Sequence, residues 1–489
     1  MRQFGWLSVA RMGLVQAALG AVVVLTTSTL NRVMVVELAL PALLPGILVA
    51  LHYLVQVARP RMGYGSDVGG RRTPWIIGGM VVLALGGVCA ALSTVAMETH
   101  RSAGILGAVL SFMVIGLGVS ASGTSLLVML AKRVPETRRA GAATMVWVMM
   151  IAGFAITAGV AGHWLDPYSP ARLVLVTSVV CVLAVLLTVV ALHGLEGPVV
   201  PARQAVPVGQ AGAWATQQAV AAPEPKPTFR EALTQVWAEP VARRFTIFVF
   251  VSMLAYSAQD LILEPFAGQV FAYTPGESTQ LSGVQHGGVL LGMLLVAAAG
   301  AIAARWGTRH RALAALGSLR GWTIGGCVAS ALALLGLTGA GLAGDGWWLK
   351  ANVFVLGVAN GAFSIGAIGS MMRLASEGRH AREGVRMGLW GAAQAIAFGV
   401  GGLLGTGASD LARWLIADAG SAYSTVFGFE ACMFALSALL AWQLGRPIGQ
   451  KPAAQQAATR ATSHSAQLHP RPERSGVGDT LVVQAHSRG

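Results

Sequence analysis

Charge is what this chain has least of. Asp, Glu, Lys and Arg make up 11% of its 489 residues, against roughly a quarter in an ordinary soluble protein. With 55% hydrophobic residues and a mean hydropathy of +0.64, the apolar surplus exceeds what a compact core could hide, which excludes a soluble enzyme. Acidic residues are scarcer than basic ones, 20 against 34, for a net charge of +14. Cysteine is rarer still. Cys89, Cys181, Cys327 and Cys432 fall in separate apolar runs, which excludes a disulfide framework and metal-ligand spacing. There is no nucleotide-binding loop and no nucleophile paired with a base at usable spacing. No catalytic residue or metal site can be assigned, and a non-enzyme is expected.

What is present is membrane-spanning sequence. Charges and Pro/Gly breaks divide it into twelve apolar segments, near 12–30, 38–58, 74–96, 104–130, 141–163, 171–193, 244–264, 281–304, 320–340, 347–372, 386–408 and 422–445. Each approaches the ~20 residues that a helix needs to cross a bilayer. The first is too long for a signal-peptide core and no small-residue cleavage site follows, so it is read as retained. Of the 34 Lys and Arg, all but Arg32, Arg101, Arg172, Lys350 and Arg413 fall in the termini and the even-numbered connections. The positive-inside rule then places both termini in the cytoplasm. These basic residues sit at span ends rather than on a compact face, so anionic lipid, and not nucleic acid, is the expected partner.

The connection after span two, GYGSDVGGRR, and that after span eight, GAIAARWGTRHR, share one glycine–arginine frame. In the first, Gly63 permits a tight turn, Asp67 can pair with arginine or cap a helix, and Arg71 and Arg72 face the headgroups. The second repeats the frame with Gly300, Arg305 and Arg309, but Ala304 stands at the acidic position. Twelve spans, a repeat of six and a long central loop resemble the major facilitator superfamily. The expected fold is an all-α polytopic membrane protein of two pseudo-symmetric six-helix halves. Its parts are 1–193, a central loop at 194–243, 244–445, and a disordered cytoplasmic tail at 446–489. Within the loop, Thr228 and Glu231 have capping-box spacing and begin a short amphipathic helix.

Ionisable residues inside spans are costly and point to function. Asp260 and Glu264 lie four apart on one face of span seven, with Pro265 expected to end that helix. They read either as a carboxylate pair for a proton, cation or partner group, or as an interfacial Glu264 beside a single buried Asp260. Glu430 in span twelve reads as a packed, protonated or hydrogen-bonded carboxylate. His52 in span two and His286 in span eight fall about one turn apart under the repeat, on comparable faces. Each is either a hydrogen-bonded core residue or a neutral imidazole able to ligate the magnesium of a chlorophyll-type ring, with Gly287 and Gly288 letting a flat ring approach. The other spans offer few polar groups, which suits an apolar ligand or a gap closed by packing. Gly288–Gly292, Gly357–Gly361 and Gly401–Gly405 are spaced for close helix contact.

Three stretches carry a narrower resemblance: ALHYLVQVARPRMGYGSDVGGRRTPWIIGG, AQDLILEPFAGQVF and GLWGAAQAIAFGVGG. They resemble the PucC/LhaA family of phototrophic bacteria, over essentially all twelve helices and with a lean to the LhaA-like branch. The resemblance implies an assembly factor for light-harvesting antenna complexes in the bacterial inner (intracytoplasmic) membrane. Antenna polypeptides, bacteriochlorophyll held transiently, and pigment-synthesis enzymes are its implied partners. The rival reading is a proton-coupled exporter of a hydrophobic small molecule, with Asp260 as proton carrier.

Overall fold

The computed structural model describes residues 4–56, 71–196, 234, 237–306, 311–344, 346–377 and 383–444. Gly63, Asp67, Arg309, the tail and most of the expected amphipathic helix lie outside the described residues. The described residues form α1 (Trp6–Glu37), α2 (Leu43–Val55), α3 (Thr73–Ala96), α4 (Arg101–Arg133), α5 (Glu136–Leu165) and α6 (Pro170–Leu192). The second half holds α7 (Pro240–Val270), α8 (Pro275–Trp306), α9 (Leu319–Ala343), α10 (Leu349–Glu377), α11 (Glu383–Leu415) and α12 (Ala419–Leu444). Among the described residues 11 helices are long and apolar enough to cross a membrane, and α2 is shorter.

The halves repeat each other in their packing. α3 packs on α4 and α6 as α9 packs on α10 and α12, and α1 on α5 as α7 on α11. Across the molecule α5 meets α8, and the equivalent pair, α11 and α2, meets on the other side. Each half has its own apolar core, one around Met12, Leu83 and Phe112, the other around Phe266, Phe363 and Phe434. A smaller cluster of Ile151, Val289, Met293 and Val296 joins α5 to α8.

Glycine sets the closest crossings. At Gly288 and Gly292 a side chain would collide with the α10 backbone at Phe354 and Val358, and at Gly357 and Gly361 with the α8 backbone at Gln285 and Val289. Gly401 and Gly405 bring α11 against Leu254 and Ala258 of α7 in the same way. Without a hydrophobic force between helices in lipid, such close backbone packing is a main source of association.

Several helix ends run past the expected spans, and two of these differences bear on the site. The first span runs on to Glu37 because α1 continues through two π-helical turns, Leu25–Thr29 and Val33–Glu37, around Leu30–Arg32. Arg32, expected in a loop, is therefore within the helix and 2% exposed. Pro265 does not end α7, which continues to Val270. Proline is tolerated in a membrane helix where neighbours satisfy the freed backbone group.

Candidate functional site

Among the described residues, the hydrogen bonds that join the two halves cluster at one face of the bundle. It is the face opposite the ends carrying Trp6, Thr73 and Leu444, and is termed the far face below. The cluster starts from the polar run TTSTLNR at 26–32 in α1. A π turn adds one residue to the helical repeat and is frequent at functional sites. Here two such turns flank the run, and side chains too close together to share one α-helical face all reach the other half. The Ser28 hydroxyl donates to Glu264 Oε1 and lies 3.2 Å from Ser282 Oγ. Thr29 Oγ1 meets Thr279 Oγ1 at 3.0 Å, and Asn31 Nδ2 donates to the Leu261 carbonyl at 2.6 Å.

Arg32 is the centre of the cluster. Its Nε donates to Ser278 Oγ at 3.3 Å and its Nη2 to the Tyr273 carbonyl at 2.5 Å, while Nη1 pairs with Glu37. Residues five apart diverge on an α-helix, but the π turn over Val33–Glu37 brings Arg32 and Glu37 together. A buried guanidinium without such partners would be prohibitively costly. On the other side of the same face Asp410 of α11 accepts from the backbone N–H of Ala42 (2.9 Å) and Leu43 (2.7 Å) at the start of α2. A carboxylate there satisfies helix-end donors and complements the dipole, across the inter-half boundary.

Asp260 and Glu264 have different partners. Glu264 is 2% exposed and bound to Ser28, so the interfacial reading of it fails. Asp260, one turn deeper and only partly buried, accepts from Gln285 Nε2 at 3.3 Å.

The histidines also differ. His286 sits 2.8 Å from the Ser282 carbonyl through Nδ1. A carbonyl only accepts, so Nδ1 carries a proton, and Nε2 has no hydrogen-bond partner among the described residues. Phe154 of α5 stands edge-on to the ring at 5.0 Å between centroids. At Gly287 no atom lies within 4 Å of where a side chain would begin, whereas Gly288 is filled by α10. His52 Nε2 is engaged by Gln56 Nε2 at 2.8 Å. From their helix starts His52 lies about 14 Å and His286 about 17 Å along, so the repeat places them at similar depth. An apolar groove of about 470 Å³, lined by Trp75, Gly78, Val82, Leu117 and Ala121, opens between α3 and α4, and neither histidine lines it.

On the opposite face, Arg71 is exposed and Arg72 buried. Glu196 accepts from the backbone N–H of Arg72 (2.9 Å) and Thr73 (2.8 Å) and from Thr73 Oγ1 (2.8 Å), capping α3. Burial raises the Glu196 carboxyl, but these bonds and the Arg72 charge outweigh it and hold the group below its ordinary value. Gly300 faces open space, and the Arg305 guanidinium lies 5.8 Å from the Trp306 ring centroid. Sequence reasoning missed Ser28, Arg32, Glu37, Glu196 and Asp410. The one available signal was the density of polar residues in TTSTLNR.

Helix order, exchange-symmetric packing and the seam between halves define a major facilitator-type fold. A solved D-xylose–proton symporter superposes with a TM-score of 0.61 at 16% identity, over 90% of this chain and 96% of that one. Within that fold the chain belongs to the PUCC protein family, whose model matches residues 29–448. It is 51% identical over 439 residues to the "Bacteriochlorophyll synthase 44.5 kDa chain" of Rhodobacter capsulatus, covering 89% of this chain and 95% of that protein. Protein PucC of Rhodovulum sulfidophilum is 30% identical over 410 residues, 81% of this chain and 83% of that one.

Proposed function

We propose that this protein is a non-enzymatic assembly factor for light-harvesting antenna complexes, and that it holds bacteriochlorophyll transiently with His286 as magnesium ligand. The observation that carries the reading is the state of the His286 ring. Its Nδ1 proton is committed to the Ser282 carbonyl, so in the neutral ring Nε2 is the donor a five-coordinate magnesium takes. Gly287, the next residue, has no atom within 4 Å of where a side chain would begin, while His286 is 5% exposed, so a flat ring would enter by displacing the Phe154 contact. His52 suits the role less, because its Nε2 is already engaged. The bound ring would supply the pigment's light-absorbing chemistry; the chain's own part is to ligate, shield and release it.

Family membership and the relatives' names support the pigment connection. The working location is the bacterial inner (intracytoplasmic) membrane with both termini cytoplasmic, beside antenna polypeptides and pigment-synthesis enzymes. The test is purification from pigmented membranes. Bacteriochlorophyll absorbance and antenna polypeptides are expected to co-purify, and His286→Leu to remove the pigment at unchanged yield while His52→Leu keeps most of it. Normal pigment in the His286 and double variants would overturn the ligand assignment.

A second reading, a proton-coupled exporter of a hydrophobic small molecule, draws on Asp260. That carboxyl is partly accessible, Gln285 donates to it, and the fold is shared with a proton symporter.

A further inference from the structure

The repeat that relates the two halves extends to the starts of α3 and α9. WIIGG at Trp75–Gly79 of α3 is matched by WTIGG at Trp322–Gly326 of α9. In each copy the tryptophan is half-buried, the first glycine exposed and the second buried. A side chain on the second glycine would strike the neighbouring helix backbone, at Ser122 of α4 for Gly79 and at Phe363 of α10 for Gly326. A side chain on the first would begin with no atom within 4 Å, at Gly78 and at Gly325 alike. The two copies therefore share both their close crossing and their outward face.

They differ in where their donors go. Beside the α9 copy, the Arg320 guanidinium donates to the Trp442 carbonyl near the end of α12, and the Trp322 indole N–H donates to the Leu316 carbonyl at 2.7 Å. Beside the α3 copy, Trp75 has no hydrogen-bond partner among the described residues. Arg71, exposed just before the helix, has neither a hydrogen bond nor an ion pair among them. The other groups at this helix start are matched: Glu196 takes the backbone N–H of Arg72 and of Thr73, and the Arg72 charge stands beside it. One positive charge and one indole N–H are left over. Next to them runs the apolar groove of about 470 Å³, whose lining begins with Pro74 and Trp75.

We propose that this groove, with Arg71 and Trp75 at its mouth, is the binding site of a monoanionic phospholipid, its phosphodiester at the mouth and an acyl chain along the groove. The chemistry at the mouth selects the headgroup. The leftover groups are donors only, which calls for an anion rich in acceptor oxygens. A single uncompensated charge matches a singly charged phosphodiester. The rest of the lining selects the chain, because Gly78, Val82, Leu117 and Ala121 offer no polar side chain. Gly78, Val82 and Leu117 are exposed on the outer face of the bundle, so a chain can enter sideways from the bilayer. Depth agrees as well. Arg71 precedes α3 and Trp75 stands in its first turn, the level of the headgroups. From Trp75 to Val82 the groove descends about 10 Å along the helix.

The test is native mass spectrometry of the full-length protein in detergent containing equal amounts of phosphatidylglycerol and phosphatidylethanolamine. One phosphatidylglycerol molecule is expected to be retained in preference. Arg71→Ala should lower that preference about fivefold, the weight of one basic side chain at an anionic lipid surface. Gly78→Leu puts a side chain into the groove where no protein atom is displaced, and should remove the retained lipid, whereas Gly325→Leu on α9 should keep it. Equal retention of the two lipids by the parent protein overturns the proposal. So does a preference that survives Arg71→Ala unchanged, or a Gly325→Leu variant that loses the lipid as fully as Gly78→Leu. Should Gly78→Leu fail to fold, Arg71→Ala decides alone: a reduced preference supports the site and an unchanged one overturns it. None of these outcomes depends on pigment, so the pigment reading stands or falls separately.

Discussion

Arg32 is a residue that looks peripheral in the sequence and turns out to be central. A cation at the end of an apolar run normally marks the end of a span, so in the sequence Arg32 reads as a loop residue. The π turns that continue α1 carry no recognisable sequence pattern, and they turn its polar side chains toward partners on α7 and α8. The physical argument is that a buried cation with its partners removed, or partners with their cation removed, leaves desolvated groups unpaired. Arg32→Ala is therefore expected to destabilise the protein by roughly 3–5 kcal/mol, and Glu37→Gln by less, because Glu37 is 34% exposed. Thermal unfolding in detergent measures both; an Arg32→Ala midpoint equal to that of the parent protein contradicts the assignment. Glu264 belongs to the same lesson. Its place on one face of span seven was legible, but its partner Ser28 is remote in sequence, and no local pattern could supply it.

Helices themselves were far more legible than their partners. Apolar runs of the right length and the one-sided basic residues fixed twelve elements, because lipid forces every backbone group into a helix. The three glycine pairs were legible too, and each lies at a close crossing. Gly361→Val would drive two methyl groups into the α8 backbone at Val289, where no flexible side chain can yield. The expected cost is about 1–3 kcal/mol, read as a lower thermal midpoint, whereas Gly300→Val, facing open space, should change little. A reversed ranking would refute the crossing argument.

The cap on α3 was not legible, since Glu196 is brought to Thr73 only by the packing of α6 on α3. It makes a pH prediction at the level of the element. Its carboxyl is held below the ordinary 4.5 in the folded protein. The contribution is thus fully present above that value and is lost as pH falls through the depressed folded value. Glu196→Gln should lower the thermal midpoint at neutral pH, and the gap to the parent protein should close in acid. A gap that widens on acidification would show that the carboxylate is not what the cap requires.

At the scale of the whole molecule the two functional readings demand different motions. An exporter in this fold must open its far face to release cargo, which means breaking Thr29–Thr279, Ser28–Glu264 and Arg32–Ser278 together. An assembly factor that passes a flat apolar ring to a neighbouring polypeptide within the bilayer has no such requirement. The far face carries a buried ion pair, a helix cap from Asp410 and a row of hydroxyl contacts, a concentration of directional bonds that favours one closed arrangement there. The two threonine hydroxyls are 3.0 Å apart, so cysteines at these positions are close enough for a cross-link. Thr29→Cys with Thr279→Cys, oxidised in membranes, should leave antenna absorbance at the level of the reduced double variant. Chemical reduction restoring an absorbance that oxidation had removed would show that far-face opening is part of the working cycle, and would move the balance to the exporter.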